Sequence, residues 1–324
     1  MAGCAAQPVT QGWREAVISV TDVDAWAAFY VDVLGWEVRE QGQVDSRTLA
    51  AWRLPAEASA RFAMVANPKS DRGFVRIIDF HGVTQTRIRP HAQAWESGGI
   101  YNMNVRVADI AAIEAAVTRA GWQAPSAPVN FIFGPFNVWE WIPRHPDGVR
   151  MAFAQRVEPP LEGWPHLKVS SRTFNSTQIV SDMARAVAFY QGVLGFKTYL
   201  EHQGASEAAA DHVLGLSHQA MTQVVRDVRI VSPSGENDGS VELLLFKDYS
   251  GRDFSKRAVP PNLGNLMLRY PVQSIASLAE HLTAAGVELV VSPTSTRIAP
   301  YGNVRMLAVQ APDGAWLEFF ETLE

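Results

Sequence analysis

The segment "AFYVDVLGWEV", residues 28–38, decides the fold because a close copy of it, "AFYQGVLGFKT", occupies residues 188–198. The two copies lie 160 residues apart (188 − 28), about half of the 324-residue chain. Similarity within one chain at a fixed spacing is typical of a repeated structural unit. The segment therefore predicts an internal duplication.

Two further pairs of segments support the duplication. "ADIAAIEAAVTRAGW" (108–122) resembles "QSIASLAEHLTAAGV" (273–287), and "HPDGVRMAF" (145–153) resembles "APDGAWLEF" (311–319). Three similar segments thus recur in one order at nearly one spacing. We predict two homologous halves.

Each half also contains two copies of a shorter unit. Asp22 and Asp109 each end a short alternating strand, and an Asp carboxylate caps a helix because it accepts the free N–H groups of the first turn. Apolar residues then recur at helical spacing as far as Leu34, and Gly35 suits the left-handed conformation that ends a helix. Apolar strands follow each helix, with "PDG" turns before the last of them.

The predicted fold class is therefore α+β, with four βαβββ modules paired into two cup-shaped mixed-sheet domains. One module alone would expose the apolar face of its sheet, and pairing two modules buries that face. We predict an N-terminal domain over 1–155, a Pro- and Gly-containing linker over 156–170 and a C-terminal domain over 171–324.

Composition narrows the function classes. The net charge is −5, and Lys and Arg form no block, so nucleic acid is not an expected partner. Cys4 is the only cysteine, which excludes an intramolecular disulfide. The first residues resemble no signal peptide, and no apolar run reaches the ~18 residues of a membrane span. We expect a cytoplasmic protein with a small-molecule ligand, and free sheet edges are compatible with a homodimer.

The motifs "FYxxxLGW" and "FYxxxLGF", with "PDG" before the last strand, resemble those of the vicinal oxygen chelate superfamily. That superfamily includes glyoxalase I, extradiol ring-cleaving dioxygenases, methylmalonyl-CoA epimerase and bleomycin-resistance proteins. The resemblance covers about residues 13–155 and 170–322. It implies a concave cup in each half, with ligands on the first and last strands of each module.

The resemblance implies eight ligand positions, and none of them is a histidine. A first cup from the N-terminal half would present Glu15, Arg76, Asn102 and Ala152. A second cup from the C-terminal half would present Asn175, Glu242, Asn265 and Glu318. We predict that the first cup holds no metal. The second would hold either no cofactor or a weakly bound Mg²⁺ or Mn²⁺ through Glu242 and Glu318, because oxygen ligands suit hard ions.

Three carboxylates are candidate catalytic residues. Glu318 and Glu242 lie in apolar strands, where like charges sharing one cup would raise one pKa and make an acid/base pair. Glu15 is a third candidate, as a general base. The alternative interpretation of Glu242 and Glu318 is that each faces solvent at a sheet edge or meets an arginine such as Arg269 or Arg305. For Glu15 the alternative, a salt bridge with Arg76 or Arg106, is favoured over the general base.

The candidate substrate-binding residues are amides, a hydroxyl and aromatics: Asn175, Asn265, Thr177, Asn102, Phe133 and Phe136. Asn102 shares a strand face with Asn104, and such groups either orient a substrate carbonyl or bond to each other. Phe133 and Phe136 form either an aromatic lid or plain core. The eight histidines are treated as surface or structural residues, with His202 and His212 the leading exceptions.

Two functions follow as expectations, with a structural module of two degenerate cups as a third. The first is a lyase or isomerase of the superfamily that acts on a small, largely apolar oxygenated compound, which could be aromatic. The second is a metal-free binding or resistance protein that sequesters such a compound. An extradiol dioxygenase is not expected, because only Glu318 remains of the two His and one Glu that its iron needs.

Overall fold

A computed structural model describes residues 8–91, 93–164 and 167–323, so Cys4 and His166 lie outside the described residues. The described residues form four modules, numbered 1 to 4 in chain order. Modules 1 and 2 comprise β1 (Glu15–Val20), α1 (Val23–Asp32), β2 (Glu37–Gln43), α2 (Ser46–Ala51), β3 (Ser59–Ala66), β4 (Phe74–His81), β5 (Asn102–Val107), α3 (Ile110–Arg119), β6 (Val129–Phe133), β7 (Phe136–Trp141) and β8 (Met151–Glu158).

Modules 3 and 4 repeat this order. They comprise β9 (Ser170–Ile179), α4 (Met183–Val187), β10 (Lys197–Gly204), α5 (His218–Gln223), β11 (Arg226–Ser232), β12 (Ser240–Phe246), β13 (Gly264–Pro271), α6 (Ile275–Ala284), β14 (Leu289–Ile298), β15 (Gly302–Gln310) and β16 (Trp316–Thr322). A π-helical turn, Ala188–Val193, extends α4 through the repeated motif.

The predicted helix caps are present. The Asp22 carboxylate accepts from the N–H groups of Asp24 and Ala25, and Asp109 and Asp182 cap α3 and α4 in the same way. Gly35 follows α1 with φ +72°, the left-handed conformation that glycine adopts without strain. The duplicated βαβββ pattern and the α+β fold class are therefore confirmed.

The strands form two curled eight-stranded mixed sheets, but each sheet combines modules from different halves. One has the order β14-β15-β16-β13-β1-β4-β3-β2 and joins modules 1 and 4, and we call its concave side the outer-module cup. The other, β10-β11-β12-β9-β5-β8-β7-β6, joins modules 2 and 3 and forms the inner-module cup. The predicted pairing of modules within each half was therefore wrong.

Each half of the chain nevertheless has its own apolar core, which lies between the two sheets. Side chains from residues 18–153 form one apolar cluster around α1 and α3, and a second cluster draws mainly on residues 180–319 around α4 and α6. Each module thus packs its helix within its half and extends its sheet into the other half. The connection between the halves covers 159–169, and the division into 1–155 and 171–324 remains a proposal about the repeat.

Candidate functional site

The outer-module cup is filled by a buried cluster of two glutamates and two arginines, which we call the charge tetrad: Glu15, Arg76, Arg269 and Glu318. Their side chains are between 0 and 3% exposed. Arg269 on β13 lies opposite both Glu15 on β1 and Glu318 on β16 in the strand register. The sheet itself therefore brings the opposite charges together.

Every carboxylate in the tetrad has cationic partners. Arg76 donates from Nε and Nη2 to the two oxygens of Glu15 at 2.7 and 3.0 Å, and Arg269 also donates to Glu15. Arg269 Nε donates to Glu318 Oε1 at 2.6 Å. Since two cations offset two anions, the cluster carries no net charge, which is what makes its burial tolerable.

Aromatic donors complete the tetrad. Trp52 Nε1 donates to Glu318 Oε2 at 2.9 Å, and the Tyr301 hydroxyl donates to Glu15 Oε2 at 3.2 Å. Burial acts to raise the pKa of Glu15, but Arg76 and Arg269 outweigh it and hold that pKa below its ordinary value. Glu15 is therefore a fixed anion, as the arginine-pairing interpretation predicted.

The outer-module cup has almost no space for a ligand. A cavity of about 20 Å³ remains beside Trp52, Arg76 and Arg269, which is about the space of a single water molecule. The Thr48 hydroxyl of α2 and the Thr296 hydroxyl of β14 are 2.7 Å apart above it. Side chains of α2, β13 and β14 border this small space.

The inner-module cup presents a different set of residues on its concave face. Through the register, Glu140 on β7 lies opposite Ala154 on β8, which in turn neighbours Arg106 on β5. On the same face, Asn102 on β5 lies opposite Thr177 on β9, which neighbours Glu242 on β12. Because cross-strand partners share a face, all these side chains point into the cup.

Glu140 and Glu242 form the most unusual feature of this cup. Their strands, β7 and β12, are four positions apart in the sheet order. The charge of Glu242 nevertheless raises the pKa of Glu140, because the curvature of the sheet brings the two strands closer. Both side chains are half-buried on the concave face of the sheet. Among the described residues, no Lys, Arg or His forms an ion pair with either.

The pKa values of this carboxyl pair are displaced toward neutrality. Burial, reinforced by the charge of Glu242, raises the pKa of Glu140 to about 8. Burial raises the pKa of Glu242 to about 7, although the Thr177 hydroxyl, which donates to Glu242 Oε1 at 3.3 Å, opposes the shift. Near neutral pH Glu140 is therefore mostly protonated and can act as an acid, while Glu242 is partly ionised and can act as a base.

A chain of polar side chains runs beside the carboxyl pair. The Asn102 amide donates to Asn104 Oδ1 and, at 3.3 Å, to Thr177 Oγ1. Asn104 donates to Asn175 Oδ1 at 2.5 Å, and Asn175 donates to Ser240 Oγ at 2.7 Å. Asn102 and Asn104 share a strand face as predicted, but the sequence placed Asn102 and Asn175 in different cups, and the pairing of β5 with β9 brings them together instead. These groups largely satisfy each other.

The sheet order also separates residues that the sequence placed together. Glu242 lies in the inner-module cup and Glu318 in the outer-module cup, so the predicted pairing of these two, for acid/base chemistry or for a shared metal, was wrong. Asn265 does not join Glu318 either, since its amide donates to the carbonyls of Tyr101 and Arg150, and Arg269 takes the expected place. Arg106 belongs to the inner-module sheet and cannot pair with Glu15.

The aromatic candidates lie at the wall of the inner-module cup. Phe133 pairs across the β6–β7 hairpin with Phe136 and has its ring 5.3 Å from that of His202. Phe136 contacts Arg156, whose guanidinium lies 3.9 Å from the ring centroid.

Burial and Arg226 lower the pKa of His212 to about 4, so this histidine is neutral at physiological pH.

A resident metal does not fit either cup. The outer-module cup offers two guanidinium groups among its four central side chains, and cations do not ligate cations. The inner-module cup supplies two carboxylates, Glu140 and Glu242, and the engaged amides of Asn102 and Asn175, and Ala152 supplies a methyl group. In the described part of the chain no three His, Cys, Asp or Glu side chains group as a metal site would require. Mg²⁺ and Mn²⁺ prefer several oxygen ligands, which this set does not provide.

The sequence interpretation missed several residues that define these sites. Glu140 lies between Trp139 and Trp141 in the strand "NVWEWIP", and alternation with Phe136 and Val138 could have placed it on the cup face. Trp52 and Tyr301 lie outside the strands that carry the motifs, so no sequence pattern marks them. Arg269 was named as a partner of Glu318, but not as the residue that also binds Glu15.

Four βαβββ modules that build two cups define a class of small-molecule-binding and metal-dependent folds. A profile of the Glyoxalase/Bleomycin resistance protein/Dioxygenase superfamily matches residues 14–153 and 173–319, and the chain belongs to this superfamily. A comparison with curated proteins gives no match. Within the described residues, every helix is too short or too polar to cross a membrane.

Solved structures with the same fold include glyoxalase I from Zea mays, at 14% identity and a TM-score of 0.63, covering 96% of this chain and 92% of that one. A putative dioxygenase from Bacillus subtilis subsp. subtilis str. 168 has 11% identity and a TM-score of 0.60, with 98% and 87% coverage. At such identities the likeness establishes the fold alone.

Proposed function

We propose that the inner-module cup is the active site of a lyase or isomerase that moves a proton on a small oxygenated compound. The observation that carries this proposal is the Glu140–Glu242 pair, two carboxyl groups on one concave face that form no ion pair with any described residue. A protein that only needed a stable core has no reason to keep two such groups, because each costs free energy to bury.

In the proposed reaction, the Glu242 carboxylate removes a proton from the carbon next to a substrate carbonyl. The Glu140 carboxylic acid, which holds its proton more tightly, donates to the carbonyl oxygen. The Thr177 hydroxyl, which donates to Glu242 Oε1 and accepts from the Asn102 amide, would hold the Glu242 carboxylate in position. For an α-hydroxy carbonyl compound, Glu242 returns the proton to the former carbonyl carbon while the α-hydroxyl gives its proton to Glu140, which yields the isomer. Where a β-substituent is present, it leaves with the proton held by Glu242, the enol hydroxyl returns its proton to Glu140, and an unsaturated carbonyl product forms.

Of the three carboxylates considered from the sequence, the proposal keeps only Glu242 as catalytic. Glu15 and Glu318 are each bound by arginine and by a second donor, Tyr301 for Glu15 and Trp52 for Glu318. We propose that they have a structural role. No metal takes part in the proposed step, because the proton-transfer groups are side chains.

The test follows hydrogen exchange rather than a guessed product. Wild type is incubated in D₂O with a panel of small α-hydroxy ketones, aldehydes and aryl ketones, and NMR monitors deuterium incorporation next to the carbonyl. For an exchanged compound we expect Glu242→Gln to slow the reaction by about 10²–10⁴-fold, the usual contribution of a general base. Glu57→Gln, which changes an exposed carboxylate, is the matched control.

A metal-free binding protein is the second candidate, and the amide chain from Asn102 to Ser240 favours it, because these groups are already satisfied and form a neutral pocket floor. If panel members bind to wild type with no catalysed exchange at any pH, the binding function replaces the enzymatic one. A cytoplasmic location and a homodimer also remain proposals.

A further inference from the structure

One end of the inner-module cup opens into a cavity of about 540 Å³. Its floor carries Arg106 and Arg156, at the carboxyl ends of the parallel strands β5 and β8. Phe136 and Phe174 form walls, and the segment Pro159–Trp164, which connects the two halves of the chain, lies over it. The volume suits a small organic ligand.

The two floor arginines lack an anionic partner among the described residues. Arg106 is 8% exposed, and its Nε is buried with no acceptor; the Nε of Arg156 is in the same state. Their guanidinium groups lie over aromatic rings instead, Arg106 at 4.4 Å from the centroid of Phe174 and Arg156 at 3.9 Å from that of Phe136. Burial, with the nearby charge of Arg156, lowers the pKa of Arg106 to about 10, so the group is still a cation at neutral pH.

The charge of Asp238 reaches Arg106, but no described acidic side chain around the cavity forms an ion pair with Arg106 or Arg156. Asp238 already accepts from Arg72 at 2.6 Å and from Arg172 at 2.7 Å. Glu162 and Glu236 are exposed, at the rim. A buried guanidinium without an acceptor is costly, and the cost falls when an oxyanion enters and accepts its hydrogen bonds.

We propose that this cavity is an anion subsite, and that the ligand of the inner-module cup carries a carboxylate bound by Arg106 and Arg156. The inference rests on the proposed function, because it describes the ligand of that same cup. Phe136 and Glu140 share one face of β7, so a flat apolar body would run along Phe136 from the arginines toward the carboxyl pair. The acidic rim favours a single negative charge over a phosphate dianion.

The ligand class can be tested before the substrate is known. Benzoate, its neutral analogue benzamide and inorganic phosphate are titrated into wild type by isothermal calorimetry. We expect saturable benzoate binding, with benzamide and phosphate each at least about tenfold weaker, since one charged hydrogen-bonded pair contributes at least that much. Benzamide binding as tightly as benzoate, tighter phosphate binding, or no benzoate binding at tens of millimolar overturns the proposal.

Variants locate the subsite. Arg106→Gln and Arg156→Gln should each weaken benzoate at least about tenfold, and Arg106→Lys, which keeps the charge, should lose less. Arg119→Gln, on an exposed helix end, removes the same charge and should bind as wild type does. Circular dichroism identifies any variant that fails to fold, in which case Arg106→Lys and Arg156→Gln decide. Wild-type affinity in folded Arg106→Gln and Arg156→Gln contradicts the subsite.

The outcomes separate this inference from the proposed function. If Arg106→Gln and Arg156→Gln weaken benzoate binding but Glu242→Gln leaves hydrogen exchange unchanged, the subsite is retained and the proton-transfer role is overturned. If Glu242→Gln slows hydrogen exchange but the arginine variants bind benzoate as wild type does, the proton-transfer role is retained and the subsite is overturned.

Discussion

The two cups share one fold and differ in what their charges face. In the outer-module cup each buried carboxylate is bound by an arginine, and about 20 Å³ of space is left. In the inner-module cup the described residues offer two carboxyls no cation and two arginines no anion in an ion pair, and about 540 Å³ adjoins the arginines. Since the superfamily fold tolerates both arrangements, the balance of charges within a cup indicates better than the fold which one is built for a ligand.

The largest effect should come from breaking the tetrad. Arg269→Leu leaves Glu15 with one arginine and Glu318 with none, and an uncompensated buried charge costs about 3–5 kcal/mol. We expect that loss in the free energy of unfolding, measured by urea denaturation. Glu242→Gln, the comparable change in the other cup, should leave the stability equal or higher. If Arg269→Leu lowers the free energy of unfolding only slightly, the two cups do not differ as described.

A smaller effect should follow from removing one neutral donor. Trp52→Phe deletes the indole N–H that donates to Glu318 and keeps most of the apolar volume. A hydrogen bond to a charged group contributes about 1.5–3 kcal/mol, which is the expected fall in unfolding free energy. Trp139→Phe, at a partly exposed tryptophan on the inner-module sheet, is the control. Equal losses in the two variants would remove the special role of Trp52.

The pH dependence of stability should separate the cups as well. Glu140 and Glu242 have folded pKa values of about 8 and 7, above their ordinary value of 4.5. The folded state therefore holds their protons more tightly, so their contribution is complete below about pH 4.5 and is lost as pH rises through 7 and 8. The slope is at most about 1.4 kcal/mol per pH unit for each group.

Glu140→Gln/Glu242→Gln should lack this component. Between pH 5 and 8 the melting temperature of wild type should fall relative to that of the double variant, as recorded by thermal circular dichroism in matched buffers. Parallel curves would show that the two carboxyls titrate as they do in the unfolded chain.

The smallest effect should be that of chelation. Because the donor sets of both cups lack the ligands that a divalent ion needs, dialysis against EDTA should change the melting temperature by less than about 1 °C. Added Mg²⁺ or Mn²⁺ should change it equally little. Metal analysis of the untreated protein is the accompanying control, and a stoichiometric ion lost together with stability would contradict this expectation.

Local signals were sufficient for the elements and for part of the tetrad. The Asp22 and Asp109 caps, the repeated motif and the strand "SVELLLF" could be assigned because each depends on neighbours in sequence. The pairing of Glu15 with Arg76 follows from two strands of one module that lie side by side. What could not be predicted is which module completes each sheet, because an apolar strand looks the same beside either neighbour.

That one ambiguity accounts for the wrong site assignments. Glu242 and Glu318 occupy equivalent places in their modules, and only the cross-pairing puts them into different cups. Glu140 was not predicted as a site residue, because its role depends on its closeness to Glu242. The curvature of the sheet produces that closeness, and the residue pattern of a single strand does not show the curvature. Arg106 was considered as a partner of Glu15 and lies instead at the floor of the anion cavity.

The cross-pairing also sets an order of events on the ribosome. The inner-module sheet uses a continuous run of chain from β5 to β12, whereas β1 must find β13, and Glu15 precedes Arg269 by 254 residues. At about 5–20 residues per second, Glu15 waits roughly 13–50 s for its second cation. During that interval one edge of β1 in the nascent chain is unpaired. The inner-module cup can therefore form first, and the outer-module cup, which contains the charge tetrad, must form last.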